Sequence, residues 1–168
     1  SRAAALFFYE PHAEAAQLIY DLKYADRPDI GEDIGRMMAE EMQMADYFAG
    51  VDVIIPVPLS SKRKRQRGYN QSEMIARGIH EITHIPVMHR ALKRKHFHQS
   101  QTSLMRHQRQ ENVAEMFELR DAKDLNDKHI LLVDDVCTTG ATLTACANVL
   151  KDIPGIRISV LTLGFTKS

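Results

Sequence analysis

The segment Asp134-Asp135-Val136-Cys137-Thr138-Thr139-Gly140-Ala141-Thr142 gathers, within one loop's length, groups that bind a sugar and groups that bind an anion. Ionised aspartates only accept hydrogen bonds, so two of them can hold the hydroxyls of a vicinal diol or stand near a magnesium ion. Three threonine hydroxyls follow, and Gly140 among them lets the backbone approach a ligand closely. The helical stretch that begins at Ala141 would aim free N–H groups and a positive end at an anion. A diol site and a phosphate site one loop apart match a sugar 5-phosphate. The usual nucleotide motifs, G-x-x-x-x-G-K-[ST] and G-x-G-x-x-G, do not occur in the chain. A threonine-rich helix cap after a core strand would account for Thr139 or Thr142, but not for paired acids, glycine and threonines together.

Those groups act together only if the fold delivers them to one place. Residues 130–133, Ile-Leu-Leu-Val, form a continuous apolar run of the kind found in a parallel strand covered on both faces, and residues 141–150 are helical in pattern. In an open parallel sheet ligands sit beyond the carboxyl ends of the strands, so topology places residues 134–142 at a site. Residues 9–48 carry two helical runs, Ala16, Ile19, Leu22 and then Ile30, Ile34, Met37, Met38, Met42, with Pro28 and Asp29 between them. The methionines, Met44 included, are expected on a core face. Residues 51–57 predict a buried strand closing on Pro56 and Pro58, which cannot donate to a ladder. Further along, residues 60–68 read as a basic loop, 69–82 as a helix and 86–92 as a strand. Residues 93–112 read as a polar connection of functional length, 115–119 as a short strand and 156–163 as the last strand. Alternating strands and helices define an α/β class with a mainly parallel, twisted sheet flanked by helices. A single domain over residues 1–168 is expected, 1–50 being an N-terminal helical cap and 51–168 the α/β core.

The 22 basic and 22 acidic residues cancel, yet they are segregated. Residues 60–110 hold twelve Lys or Arg against Glu73 and Glu81 alone, and residues 82–110 have no acid while five histidines join six cations. Such a belt attracts phosphate, whether of a metabolite or of nucleic acid. With 44% hydrophobic and 26% charged residues the chain is expected to fold around a core, and its apolar runs fall well short of the roughly 20 residues that cross a bilayer. No membrane span is expected. Cys137 and Cys146 cannot complete a four-ligand zinc site by themselves, and a reducing, cytoplasmic location is the expectation.

The run Ile130-Leu-Leu-Val-Asp-Asp-Val-Cys-Thr-Thr-Gly-Ala-Thr142 resembles the phosphoribosyl pyrophosphate (PRPP) signature of the type I phosphoribosyltransferases. Asp21-Leu-Lys-Tyr24, Pro56-Val-Pro-Leu59, Arg67-Gly-Tyr-Asn-Gln71, Gln101-Thr102, Arg109, Asn112 and Phe117 extend the resemblance to the ComF/GntX branch, over about residues 18–164. It implies a type I phosphoribosyltransferase-like fold in which Asp134 and Asp135 face the ribose hydroxyls and, with magnesium, the reacting end of the ligand. Val136, Cys137, Thr138, Thr139, Gly140, Ala141 and Thr142 would wrap the 5-phosphate. Val57, Pro58, Leu59 and Ser60 would form a pyrophosphate loop, often with an unusual cis peptide, and residues 93–112 a flap that closes over the site. Loss of pyrophosphate leaves positive character on the sugar and negative charge on the leaving group, which cations stabilise. Lys62, Arg63 and Arg67 from the first basic segment and Arg106 and Arg109 from the flap are the candidates; Arg67 and Arg109 join the two aspartates as the expected catalytic set. Lys64, Arg65, Lys93, Arg94 and Lys95 read equally as solvated charges or nucleic-acid contacts.

The resemblance also sets limits. Purine-specific relatives place an aspartate, a candidate proton acceptor, where this chain has Thr138, which cannot do that work at neutral pH, so a 6-oxopurine acceptor is disfavoured. His96, His98 and His107 are expected to be exposed or phosphate-facing. Relatives in this branch carry a cysteine-rich zinc element ahead of Asp21-Leu-Lys-Tyr24, so zinc is expected only if a missing N-terminal segment supplies it. Two functions are implied: a transferase that moves phosphoribosyl to an unidentified nitrogen acceptor and releases pyrophosphate, or a non-catalytic competence factor. The latter would use the PRPP pocket as a sensor and engage single-stranded DNA or a DNA-uptake helicase. The oligomeric state stays open.

Overall fold

Short β-branched runs buried on both faces are stable only inside a sheet covered twice, and the computed structural model builds such a sheet. It describes residues 2–8, 20–22, 27–95, 116–121 and 123–165. In chain order the elements are β1 (Ala3–Phe8), α1 (Pro28–Gln43), β2 (Val53–Pro56), α2 (Ser61–Arg67), α3 (Gln71–Thr83), β3 (Leu92–Arg94), β4 (Phe117–Leu119), β5 (His129–Cys137), α4 (Ala141–Leu150) and β6 (Arg157–Phe165). The main sheet runs β1-β6-β5-β2 with all three pairings parallel, and β3 with β4 forms a separate antiparallel ribbon. The fold is therefore the expected α/β class.

Successive strand residues point to opposite faces, which divides the interior into two cores. Ile54, Leu131, Val133, Leu161 and Leu163 pack with Ile34 and Met38 of α1 and Ile75 and Ile79 of α3. Val53, Ile55, Ile130 and Leu132 face the other way, toward Leu143, Cys146 and Leu150 of α4 and toward Leu92 and Phe117 of the ribbon. Helix α1 does not reach the sheet alone; it lies against α3. The two backbones approach so closely that a Cβ built on Gly35 would meet the carbonyl of Ile75, and one built on Gly78 would meet the carbonyl of Glu32. Arg36 bridges the same pair of helices through Glu81 and also pairs with Asp33.

Several local expectations change. Residues 3–8 lie within the stretch read as a helical cap, yet they form edge strand β1; Ala-Ala-Ala-Leu-Phe-Phe has no period of two, and pairing along β6 decides its state. Residues 60–68 are a helix and not a loop. Ser60 Oγ accepts from the Arg63 amide at 3.3 Å, Lys64, Arg65 and Arg67 stand in the last turn where cations are favoured, and Gly68 closes the helix at φ 78°. The strand expected over residues 86–92 shrinks to one bridge between Val87 and Ile54, and β3 starts only at Leu92. Met38 is buried, but Met44 is 90% exposed at the end of α1 and packs no core. No cis peptide occurs among the described residues, the 57–60 segment included. The helix expected before Pro28 and the 93–112 flap lie largely outside the described residues.

Gly78→Ala forces the α1–α3 contact apart, and overpacking of this kind is expected to remove about 1–3 kcal/mol. Urea denaturation checks it: the midpoint should fall with an unchanged slope, whereas an unchanged midpoint would show that the two helices can separate freely.

Candidate functional site

The site starts from a difference in strand length. Strand β2 makes its last contact where the Val57 amide donates to the Val133 carbonyl at 2.9 Å, and Pro58, with no N–H, carries the chain away from the sheet. Strand β5 was expected to end at Val133. It continues to Cys137, held on one side by β6 through Asp134↔Thr162, Val136↔Gly164 and Cys137↔Phe165. The side that β2 has left opens into a cavity of about 380 Å³.

Each wall comes from a different element. Val57, Pro58 and Leu59 follow β2, Arg63 and Arg67 come from α2, and Asn70, Gln71 and Ser72 from the start of α3. Arg94 reaches in from β3, and Asp134, Asp135, Val136, Thr138 and Thr142 line the β5 side. A smaller, partly open recess of about 30 Å³ is lined by residues 137–143 with Asp134 and Val136. Gly140 takes φ 73° at the N-terminus of α4, and the Thr139 hydroxyl accepts from the Ala141 amide at 3.4 Å.

Hydrogen bonds fix the acidic edge. Asp134 Oδ1 accepts from Ser72 Oγ and from the Asp135 amide, both at 2.9 Å, while Asp135 Oδ1 accepts from the Val136 amide at 2.7 Å. Burial, together with the negative charge of Asp135, pushes the Asp134 carboxyl up to about 7. Three cations, Arg63, Arg67 and Arg94, share the same cavity lining. Arg94 lies 5.6 Å from the centroid of the Phe117 ring, and burial and the nearby Arg63 charge lower its pKa. Arg67 donates to Gln71 Oε1 at 3.0 Å. Since a guanidinium can only donate, that contact fixes the amide orientation and leaves Gln71 Nε2, on a side chain 2% exposed, buried without a partner among the described residues. The Asn70 amide donates to the Val57 carbonyl at 3.0 Å and so ties the start of α3 to the segment leaving β2.

Pro58, Leu59, Arg63, Arg67, Asp134, Asp135, Val136, Thr138 and Thr142 thus share the larger cavity, and Cys137, Thr139, Gly140 and Ala141 line the recess. Burial raises the Cys137 thiol, so it is a neutral wall there. Ser60 serves as the cap of α2, and Lys62 is exposed; neither lines these cavities. Arg106 and Arg109 lie outside the described residues. Ser72 and Arg94 were not singled out for the site by the sequence, nor were Asn70 and Gln71 as wall residues. The alternation of Lys93 and Arg94 on a strand was the available signal for Arg94, since only one of the two can face inward.

The chain belongs to the phosphoribosyl transferase domain family, whose model matches residues 23–163. Within the family it is similar to proteins of DNA use and competence. It is 31% identical over 136 residues to the DNA utilization protein YhgH of Escherichia coli O157:H7, covering 79% of this chain and 59% of that one. It is 33% identical over 110 residues to Competence protein F of Haemophilus influenzae, covering 65% and 48%. The chain therefore spans about three fifths or less of these relatives. Among solved structures, the allosteric regulatory enzyme of purine biosynthesis superposes with a TM-score of 0.55 at 19% identity, covering 84% of this chain and 30% of that one. The glutamine PRPP amidotransferase of B. subtilis, complexed with ADP and GMP, gives 0.55 at 18% over the same shares. At such identities the likeness establishes the fold.

The raised carboxyl predicts a stability cost at the site. Below about pH 4 both folded and unfolded chains hold the Asp134 proton, and between about pH 4 and 7 only the folded chain does, so this group's contribution to stability falls as pH rises and then levels off. Asp134→Asn keeps an acceptor for Ser72 and removes the charge. Its melting midpoint should exceed the parent's by about 2–8 °C at pH 8 and match it near pH 4; equal midpoints at pH 8 would contradict the assignment.

Proposed function

We propose that the cavity binds PRPP with magnesium and that the protein transfers its phosphoribosyl group to a nitrogen acceptor. The observation that carries this reading is the placement of two carboxylates between a glycine–threonine recess and an arginine wall. The recess suits the 5-phosphate, Asp134 and Asp135 suit the ribose hydroxyls, and Arg63, Arg67 and Arg94 face the region where a diphosphate would extend. The acceptor nitrogen forms a bond to ribose C1 as the C1–oxygen bond breaks, the electron pair leaves with pyrophosphate, and the nitrogen gives its proton to solvent. Arginines fixed before the reaction stabilise the departing charge without reorganising.

Magnesium fits the donor set. It takes hard oxygens, commonly one or two carboxylates with substrate phosphates and water, and no group of three or more potential ligands exists among the described residues. Asp134 and Asp135 would hold it jointly with the ligand, and when bound it would supply charge neutralisation for the diphosphate. A cation beside Asp134 would also draw its raised carboxyl back toward the ionised state.

A second reading, a pocket that senses PRPP without turnover, is favoured by Thr138 in the cavity wall, since a hydroxyl there accepts no proton at neutral pH. Release of pyrophosphate in the presence of candidate amines separates the two readings.

Two measurements test the site. Calorimetry with PRPP and magnesium should show saturable binding, and Asp134→Asn with Asp135→Asn should weaken it by about 1.5–3 kcal/mol for each charged hydrogen bond lost. No saturable binding to the parent protein would contradict the reading. Gln71→Met keeps the side-chain length but removes both the donor that lacks a partner among the described residues and the oxygen that accepts from Arg67. Apo stability should hold or rise while PRPP binding weakens roughly 5- to 10-fold, because a ligand oxygen is the partner that the amide otherwise lacks; loss of both together would mark Gln71 as structural only.

A further inference from the structure

Three successive side chains at the start of α3 line the larger cavity, and each is tied to a different wall of it. The Asn70 amide donates to the Val57 carbonyl at 3.0 Å, Gln71 Oε1 accepts from Arg67 at 3.0 Å, and Ser72 Oγ donates to Asp134 Oδ1 at 2.9 Å. The last of these bonds spans 62 positions of sequence and joins a helix to the acidic edge. A serine in the first turn of a helix ordinarily turns its hydroxyl to a nearby backbone group. Here the residue is buried, and its one hydroxyl proton is committed to a distant carboxyl.

Lone pairs decide what that bond does. A carboxylate oxygen accepts about two hydrogen bonds. Asp134 Oδ1 already has two, from Ser72 and from the Asp135 amide, also at 2.9 Å, so ligand hydroxyls are directed to Oδ2. The pair of donors also sets the orientation. A hydrogen bond to the adjacent peptide alone leaves the side chain able to swing at the cost of one contact, whereas a second donor on a separate element makes two contacts depend on the same rotamer. That element is firmly seated, because the close approach at Gly35 and Gly78 holds α3 against α1. Supports of this kind are what give a binding group its precision.

We propose that Ser72 is a positioning residue of the site: it acts through Asp134, locking the carboxyl so that Oδ2 is presented to the ribose hydroxyls. This deepens the PRPP reading and rests on it for the identity of the ligand. Hydrogen bonds weaken steeply as their angle and distance depart from the optimum, so a carboxyl that swings loses affinity even though its charge is unchanged.

Three-bond NMR couplings across χ1 of Asp134, measured on labelled protein without ligand, test the locking. The parent should show one rotamer and Ser72→Ala an average over several, while Ser72→Thr, which keeps the hydroxyl, should return to one. Calorimetry with PRPP and magnesium reads the consequence in a double-mutant cycle. Ser72→Ala should weaken binding about tenfold in the parent and less than about twofold when Asp134→Ala is already present; a serine with a purely structural role would weaken both alike. The proposal is overturned if Asp134 is averaged in the parent, if Ser72→Ala leaves its couplings unchanged, or if the two substitutions are additive. Absence of PRPP binding, with the couplings behaving as expected, would sink the sugar-phosphate reading and leave the locking by Ser72 standing.

Discussion

Everything at the site depends on β5 outrunning β2. Hydrogen bonding to β6 keeps residues 134–137 extended, and the departure of β2 at Val57 removes the neighbour that would otherwise cover the opposite side. An acid placed one pair earlier would be sealed between strands; placed beyond Cys137 it would sit on a loop. Asp134 and Asp135 lie in the short interval where the backbone is rigid and the side chains can still meet a ligand. That interval leads through the recess into the N-terminus of α4, the end of a helix that favours an anion, so the proposed sugar and phosphate contacts fall on one continuous piece of chain.

The charge distribution follows from the same geometry. Placing a carboxyl at the rim of a hydrophobic sheet disfavours its ionised form, and a second carboxyl next in sequence disfavours it further. The arginines of the same cavity lining are themselves crowded, Arg94 by Arg63. Both walls are therefore under electrostatic stress, which the proposed ligand, with hydroxyls at one end and phosphate charge at the other, would relieve. Local instability of this kind is what binding sites commonly trade for recognition.

Much of this arrangement was legible in the chain before any coordinates. The apolar run at residues 130–133 and the acids, threonines and glycine after it specify a buried strand and a turn into a helix, and the structure has both. Contacts between distant segments were not legible. Nothing in the spacing of α1 and α3 says that Gly35 and Gly78 bring two backbones together, and nothing in Ser72 says that it will donate to Asp134 across 62 positions. The basic segment at residues 60–68 was misread because a run of cations looks solvated, yet Ser60 and Gly68 supply the two ends that a short helix needs. Residues 3–8 show the opposite limit: the alanines and leucine of this run favour helix when isolated, and pairing on an open sheet edge overrides them.

The carboxyl of Asp134 offers the most direct test of the account. Its ionisation can be followed by carbon NMR in protein labelled at the aspartate side chains, first alone and then with saturating ribose 5-phosphate. The midpoint is expected near 7 without ligand and clearly lower with it, since hydroxyls that donate to a carboxylate favour its charged form. A midpoint in the ordinary aspartate range, unmoved by the sugar phosphate, would contradict it.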